Sequence, residues 1–186
     1  MPAIPRFRRT VLAALVFGAS ALAVGCSGSG EHTVFAIATD FGEGDRAVRT
    51  IDIIDVGVPS LYNVTDQSVR VRKVALASAP PAVRLLGATA HPGQAVGIVF
   101  GDLSSRCAKE YPAHPVTDAL IRPRSRSNWF LVLAIRFSKP GRYYLGRVKI
   151  YYTTGGQDGW QYQNLHATFW VHAARPGTKP RFQGCP

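Results

Sequence analysis

The chain has few acidic residues, few cysteines and none of the short motifs that identify common enzyme families. It contains 11 aspartates and glutamates against 22 lysines and arginines, so its formal net charge is +11. Three cysteines and one methionine provide few soft ligands for copper or zinc. G-x-S-x-G, H-E-x-x-H, C-x-x-C and phosphate-loop patterns are all missing from the sequence. We therefore expect a protein that is not an enzyme, with no cofactor and no metal ion.

Long segments with apolar residues at the helical period are missing as well, and alternation at period two recurs instead. In "YLGRVKIYYTT", the residues Val148, Ile150 and Tyr152 alternate with Arg147, Lys149 and Tyr151, so the two groups lie on opposite faces of an extended strand. This pattern predicts a strand with one face in the core and one in water. "GGQDG" at residues 155–159 then predicts a hairpin turn, because glycine accepts positive φ.

The returning strand and several shorter segments extend the same pattern. Leu165, Ala167, Phe169 and Val171 share one face of the returning strand. "NWFLVLAIRF" at 128–137 is apolar on both faces and predicts a central strand. A β-bulge is predicted wherever the apolar residues change from one parity to the other. This change occurs near Arg72 in "SVRVRKVALA" and between Ile53 and Ile54 in "TIDIIDV". About seven to eight short strands separated by Gly/Pro turns predict an all-β antiparallel sandwich or barrel.

A resemblance to immunoglobulin-like domains refines this fold. "KPGRYYLG" at 139–146 resembles the tyrosine corner of those sandwiches, with Tyr143 or Tyr144 as the tyrosine. The Tyr-x-x-Gly-Gly hairpin that follows resembles the last two strands of small exported bacterial Ig-like domains. The resemblance implies an Ig-like sandwich and no particular function, because such folds carry many functions.

The N-terminus has the order of segments of an export signal. Basic residues (Arg6, Arg8 and Arg9) precede the uncharged run 11–24, and Leu22-Ala23-Val24-Gly25-Cys26 follows. This end resembles the lipobox of bacterial lipoproteins, which implies a diacylglyceryl group on Cys26 and cleavage before it. An uncleaved N-terminal helix or an ordinary cleaved signal would be the alternatives. We expect a signal peptide at 1–25, a flexible tether at 26–32 and the β-sandwich domain at 33–186.

Export would also decide the state of the two remaining cysteines. An oxidising compartment favours a disulfide between Cys107 and Cys185, and two free thiols are the alternative. After cleavage, 19 basic and 11 acidic residues would leave a net charge of +8. A basic exported protein meets anionic lipids and envelope polymers before nucleic acid, so we expect no nucleic-acid partner.

One candidate binding surface is the basic run "RPRSRS". If this run is extended, the side chains of Arg122, Arg124 and Arg126 share one side and form a stripe for phosphate or carboxylate groups. The alternative is a solvated loop that only keeps the protein soluble.

A second candidate binding surface lies on the predicted last hairpin. Tyr162, His166 and Trp170 form an outward row beside Tyr151 of the neighbouring strand. Exposed aromatic residues on a sheet face are suited to sugars or partner proteins. The alternative is that the long segment Gly101 to Ser127 covers this face and makes it part of the core.

These observations predict a protein anchored by lipid outside the cytoplasm, with a binding or interaction role at the cell envelope. The membrane is the expected partner through the anchor, together with anionic envelope polymers or another envelope protein. The alternatives are a small hydrolase or accessory subunit acting on envelope polymers, and a carrier that holds a small ligand between the sheets.

Overall fold

The computed structural model describes residues 33–36, 46–58, 60–93, 98–100 and 112–180. Cys26, Cys107 and Cys185 lie outside these ranges, as do the predicted signal peptide, tether and disulfide. No segment in the described ranges forms a helix of the length and apolarity that a membrane crossing requires.

The described residues form an all-β structure with one short 3-10 turn, Val116–Asp118. Its strands are β1 (Arg46–Arg49), β2 (Ile53–Val58), β3 (Val69–Leu76), β4 (Val83–Pro92), β5 (Ile98–Phe100), β6 (His114–Pro115), β7 (Leu120–Ile121), β8 (Trp129–Phe137), β9 (Gly141–Thr154) and β10 (Gln157–His172). The prediction of seven to eight strands is therefore too low. β6 and β7 have two residues each and are too short to leave a period-two pattern.

The strands form two five-stranded sheets with the orders β1-β10-β9-β3-β7 and β5-β2-β8-β4-β6. β1 pairs in parallel with β10, so the prediction of a wholly antiparallel fold is wrong at this edge. The other strand pairs are antiparallel. Residues from both sheets share one hydrophobic core, in which Phe137 of one sheet lies 5.1 Å from Phe169 of the other, measured between ring centroids.

The alternation predicted for the last hairpin is confirmed. Val148, Ile150 and Tyr152 of β9 are buried, and so are the four predicted inward residues of β10 (Leu165, Ala167, Phe169 and Val171). The turn between the strands is confined to Gly155 and Gly156, both with positive φ, which matches the right-handed twist of a tight hairpin. The prediction that β8 is a central strand is also confirmed, because β8 lies between β2 and β4.

Of the two predicted bulges, one is confirmed and one is wrong. The pairing of β3 with β9 shifts between Val71 and Lys73, so Arg72 is the extra residue. β2 pairs with β8 in continuous register from Ile53 to Val58. Most of β2 is buried on both faces, so its two adjacent isoleucines need no change of side.

Buried amides attach irregular segments to the sheets. The Gln161 side-chain oxygen accepts hydrogen bonds from the backbone N–H groups of Val34 (2.8 Å) and Phe35 (2.9 Å), and its NH₂ donates to the Phe35 carbonyl (2.6 Å). Asn63 attaches a second irregular segment, because its NH₂ group donates to the carbonyls of Gln67 (2.7 Å) and Arg122 (3.0 Å). Within residues 33–36, Phe35 forms an isolated bridge with Asn63.

Candidate functional site

The outer face of the β9–β10 hairpin carries a compact group of cationic and aromatic side chains. In register, Tyr151 lies opposite Trp160 and Lys149 opposite Tyr162, while Lys73 of β3 lies opposite Tyr151 on its other side. The inward parity of the same strands is buried, so these side chains point away from the core. We call this group the cation–aromatic patch: Lys73, Arg147, Lys149, Tyr151, Trp160 and Tyr162.

The cations of the patch lie against its rings. The Lys149 Nζ lies 3.8 Å from the Trp160 ring centroid and 5.1 Å from that of Tyr151. The Arg147 guanidinium carbon lies 4.6 Å from the Tyr162 centroid, and the Lys73 Nζ lies 5.7 Å from that of Tyr151. Cation–π contacts of this kind at exposed sites are worth about 0.5–1 kcal/mol each. They therefore limit the movement of long side chains without neutralising their charge.

The positive charge of the patch is not balanced by neighbouring carboxylates. Asp158, at the start of β10, accepts a hydrogen bond from the Thr153 hydroxyl (2.6 Å). Within the described ranges, none of the patch cations takes part in an ion pair. The ion pairs found there join Arg49 with Asp52, His114 with Asp118, and Arg124 with Asp66.

A second cluster lies farther along the same face. The Arg142 guanidinium lies 4.9 Å from the Trp170 ring centroid, and Tyr144 and His166 are joined by a hydrogen bond between the hydroxyl and Nδ1. His166 lies at a β-bulge between Asn164 and Ala167 and has φ 48°, a conformation that non-glycine residues seldom adopt. The four predicted aromatic residues therefore share a face but divide into two clusters. Tyr151 and Tyr162 lie in the patch, and His166 and Trp170 lie in the second cluster.

The long segment that would cover this face in the alternative interpretation is described for residues 112–127. Its 3-10 turn packs against β3 and β4, and β7 pairs with the edge of β3. Tyr151, Trp160 and Tyr162 remain half-exposed, and Trp170 is 43% exposed. The described part of the segment thus lies along a sheet edge and does not bury the aromatic row.

The basic run lies elsewhere, beside residues 62–66. The predicted stripe required an extended backbone at 122–126. The backbone is not extended there, because the chain turns at Pro123 and Arg124 and the φ of Arg124 is 48°. The Arg124 guanidinium donates two hydrogen bonds to Asp66 (2.8 and 3.1 Å). Hydrogen bonding and charge together lower the pKa of the Asp66 carboxyl and raise the pKa of Arg124. Arg122 and Arg126 are exposed.

No cluster of three or more potential metal ligands occurs among the described residues. His91 lies buried in β4. Its ring stacks 5.0 Å from that of Phe130, and its Nε2 is 2.8 Å from the Thr89 hydroxyl. This histidine is part of the packing of its sheet.

The cations and Trp160 were not singled out as binding residues from the sequence, although a signal was present. Arg147, Lys149 and Tyr151 alternate along the outward parity of β9, and Trp160 precedes Tyr162 by two residues in β10. The sequence pattern does not give the cross-strand register, in which Lys149 lies opposite Tyr162 and its Nζ reaches the Trp160 ring. Chemically, the patch combines fixed cations for anionic groups with ring faces for apolar surfaces.

No protein-family model matches the chain, and no curated protein matches it. Among solved structures, the VesB protease of Vibrio cholerae is similar over 74% of this chain, with 8% sequence identity and a TM-score of 0.35. The chain spans about a third of that protein, since the match covers 32% of its length.

Proposed function

We propose that this chain is an exported, lipid-anchored protein that binds acidic polysaccharides of the cell envelope through the cation–aromatic patch. The observation that carries the proposal is the placement of Lys149, Arg147 and Lys73 against aromatic rings on an outer sheet face. None of these three cations has a carboxylate partner among the residues described. Their charge is therefore free to meet an external anion.

The chemistry of an acidic sugar polymer matches both halves of the patch. Carboxylate or phosphate groups accept charge-assisted hydrogen bonds from lysine and arginine. The C–H faces of sugar rings are apolar and can pack on the rings of Tyr151, Trp160 and Tyr162. A second contact at Arg142 and Trp170, on the same face, would extend the surface along the polymer.

An Ig-like scaffold for this surface is part of the proposal. The Tyr143 hydroxyl donates to the backbone carbonyl of Lys139 at 3.0 Å, at the start of β9. This is the bond that the predicted tyrosine corner requires. Two sheets sharing one core also support the assignment.

Lipid attachment to Cys26 is the first prediction. We expect the mature protein to begin at Cys26 and to carry a diacylglyceryl group on its thiol, because stable anchoring needs two or more acyl chains. Intact-mass and N-terminal peptide measurements on the membrane fraction test this. Cys107→Ser should keep the modification and Cys26→Ser should lose it. A mature chain with an unmodified Cys26 would contradict the anchor.

Binding of acidic polysaccharide by the patch is the second prediction. Arg147→Gln combined with Lys149→Gln should weaken binding to alginate, a polymer of uronate sugars, by at least about tenfold. A hydrogen bond to a charged group contributes about 1.5–3 kcal/mol, and 1.4 kcal/mol corresponds to a tenfold change in affinity. Affinity measured by biolayer interferometry at fixed salt is the appropriate readout.

The matched control removes two charges from another surface. Arg122→Gln combined with Arg126→Gln changes the net charge equally and should leave alginate binding within about twofold, because these arginines lie outside the patch. Polyglutamate, which is anionic without sugar rings, should bind more weakly than alginate. Equal losses in both double variants would contradict the proposed site. Appearance of new reducing ends in the alginate would support the hydrolase alternative instead.

A further inference from the structure

The sheet that does not carry the patch has an unusual pair of arginines on its outer face. Arg84 of β4 lies opposite Arg136 of β8 in the antiparallel register, and both side chains are exposed. Like charges at opposite positions of neighbouring strands repel each other and destabilise the pair. Such an arrangement needs either solvent screening or an anion between the two guanidinium groups.

The protein itself supplies no such anion among the described residues. The ion pairs found there involve other side chains, and neither Arg84 nor Arg136 is bonded to a carboxylate within them. Exposed arginines such as Arg72 and Arg122 also lack an acidic partner, but neither of them is paired with a second arginine across a ladder. The general excess of positive charge therefore does not by itself explain the opposed pair of Arg84 and Arg136.

The two arginines line one cleft of about 390 Å³. Its apolar lining is formed by Ile51 and Leu86. Leu86 is the extra residue of a β-bulge, between Leu85 and Gly87, and it is 50% exposed. The bulge thus presents an apolar side chain beside two guanidinium groups, although exposure of leucine to water is unfavourable.

Two residues with hydroxyl groups also line this cleft, and both hydroxyls have partners within the protein. The Thr50 Oγ1 accepts a hydrogen bond from the Ala174 N–H at 3.4 Å, and the Ser138 hydroxyl donates to the Ala82 carbonyl at 3.2 Å. The donors that the cleft offers to an anion are therefore the two guanidinium groups, which are suited to a phosphate or carboxylate.

We propose that this cleft binds an amphiphilic anion, in which a phosphate or carboxylate head lies between Arg84 and Arg136 and an attached apolar group packs on Leu86. The head removes the repulsion between the arginines, and the apolar part covers the leucine of the bulge. This site is on the other sheet from the cation–aromatic patch and stands independently of the proposed polysaccharide binding.

Calorimetric titration of the full-length chain tests the site with phenyl phosphate, which joins an anionic head to an apolar ring. We expect one binding site, with inorganic phosphate at least about tenfold weaker because it lacks the apolar part. Leu86→Ser should reduce the affinity for phenyl phosphate toward that for inorganic phosphate. Equal affinities of the two probes, or no binding of phenyl phosphate, would overturn the proposal.

Arg84→Gln combined with Arg136→Gln should weaken phenyl phosphate binding by at least about tenfold, and Arg72→Gln combined with Arg122→Gln is the charge-matched control. Without ligand, the melting temperature of the first variant should not fall, since a repulsive pair is removed. Equal weakening in the control would overturn the site.

Tighter binding of dihexanoyl phosphatidylglycerol than of phenyl phosphate would identify a lipid as the source of the anion, and the reverse order would identify a free small acid.

Discussion

Replacing Gln161 by leucine is expected to lower the free energy of unfolding by about 3 kcal/mol. Leucine fills a similar volume but leaves the N–H groups of Val34 and Phe35 and the Phe35 carbonyl without their partner. Each buried unsatisfied group costs about 1–3 kcal/mol. The segment could instead detach, but Phe35 is fully buried and lies 5.7 Å from Tyr152, so detachment loses about 1.5–3 kcal/mol of apolar burial per large side chain.

Urea unfolding and amide hydrogen exchange of Val34 and Phe35 measure this effect. Gln157→Leu is the matched control, since Gln157 is exposed at the start of the same strand and its replacement should change stability by no more than about 0.5 kcal/mol. A change of similar size for both variants, or unaltered exchange at Val34, would show that Gln161 does not hold the segment.

Asn63→Asp is expected to destabilise the protein by at least about 3 kcal/mol at neutral pH. The Asn63 NH₂ group donates to the carbonyls of Gln67 (2.7 Å), Arg122 (3.0 Å) and Ile121 (3.3 Å), and its oxygen accepts from the N–H and hydroxyl of Thr65 (2.9 and 2.8 Å). Asn63 is fully buried. In the aspartate, one carboxylate oxygen would keep the two Thr65 donors, but the other would face the three carbonyl oxygens, and this buried, partly unsatisfied charge costs more than a neutral group.

The pH dependence of this variant has a definite sign. Burial and the carbonyl oxygens would raise the pKa of the introduced carboxyl above its unfolded value of about 3.9. The folded state then binds the proton more tightly than the unfolded state, so the loss of stability should grow as pH rises above about 4 and shrink at lower pH. Urea unfolding from pH 4 to pH 7 tests this. Asn128→Asp, at an exposed position, is the control, and equal effects of both variants would contradict the assigned role.

The sequence predicted those parts of the fold that depend on local alternation. β9 and β10 have one apolar parity each, β8 is apolar on both faces, and the slip at Arg72 marks a true bulge. Local alternation could not predict which strands pair when they are distant in sequence, as the parallel pairing of β1 with β10 shows. Gln161 lies on the inward parity of β10, yet nothing local indicates that its partners are 126 and 127 residues away.

The candidate site was predictable to the same extent. Parity places Tyr151, Tyr162, His166 and Trp170 on one face of the hairpin. Which cation contacts which ring depends on cross-strand register, and the division into two clusters coincides with the bulge at His166. The predicted stripe at 122–126 failed because Arg124 adopts a turn conformation and bonds to Asp66. The opposed Arg84 and Arg136 required knowledge of the β4–β8 register.

Amide chemical-shift mapping with a short uronate oligosaccharide is the most direct test of the proposed function. We expect the perturbed amides to cluster along β9 and β10, with the largest changes at Lys149, Tyr151 and Trp160 and smaller ones near Trp170. The exposed run at 122–126, which is also basic, should show little change. Perturbations centred on that run, or spread evenly over the basic surface, would contradict the assignment of the cation–aromatic patch as the binding site.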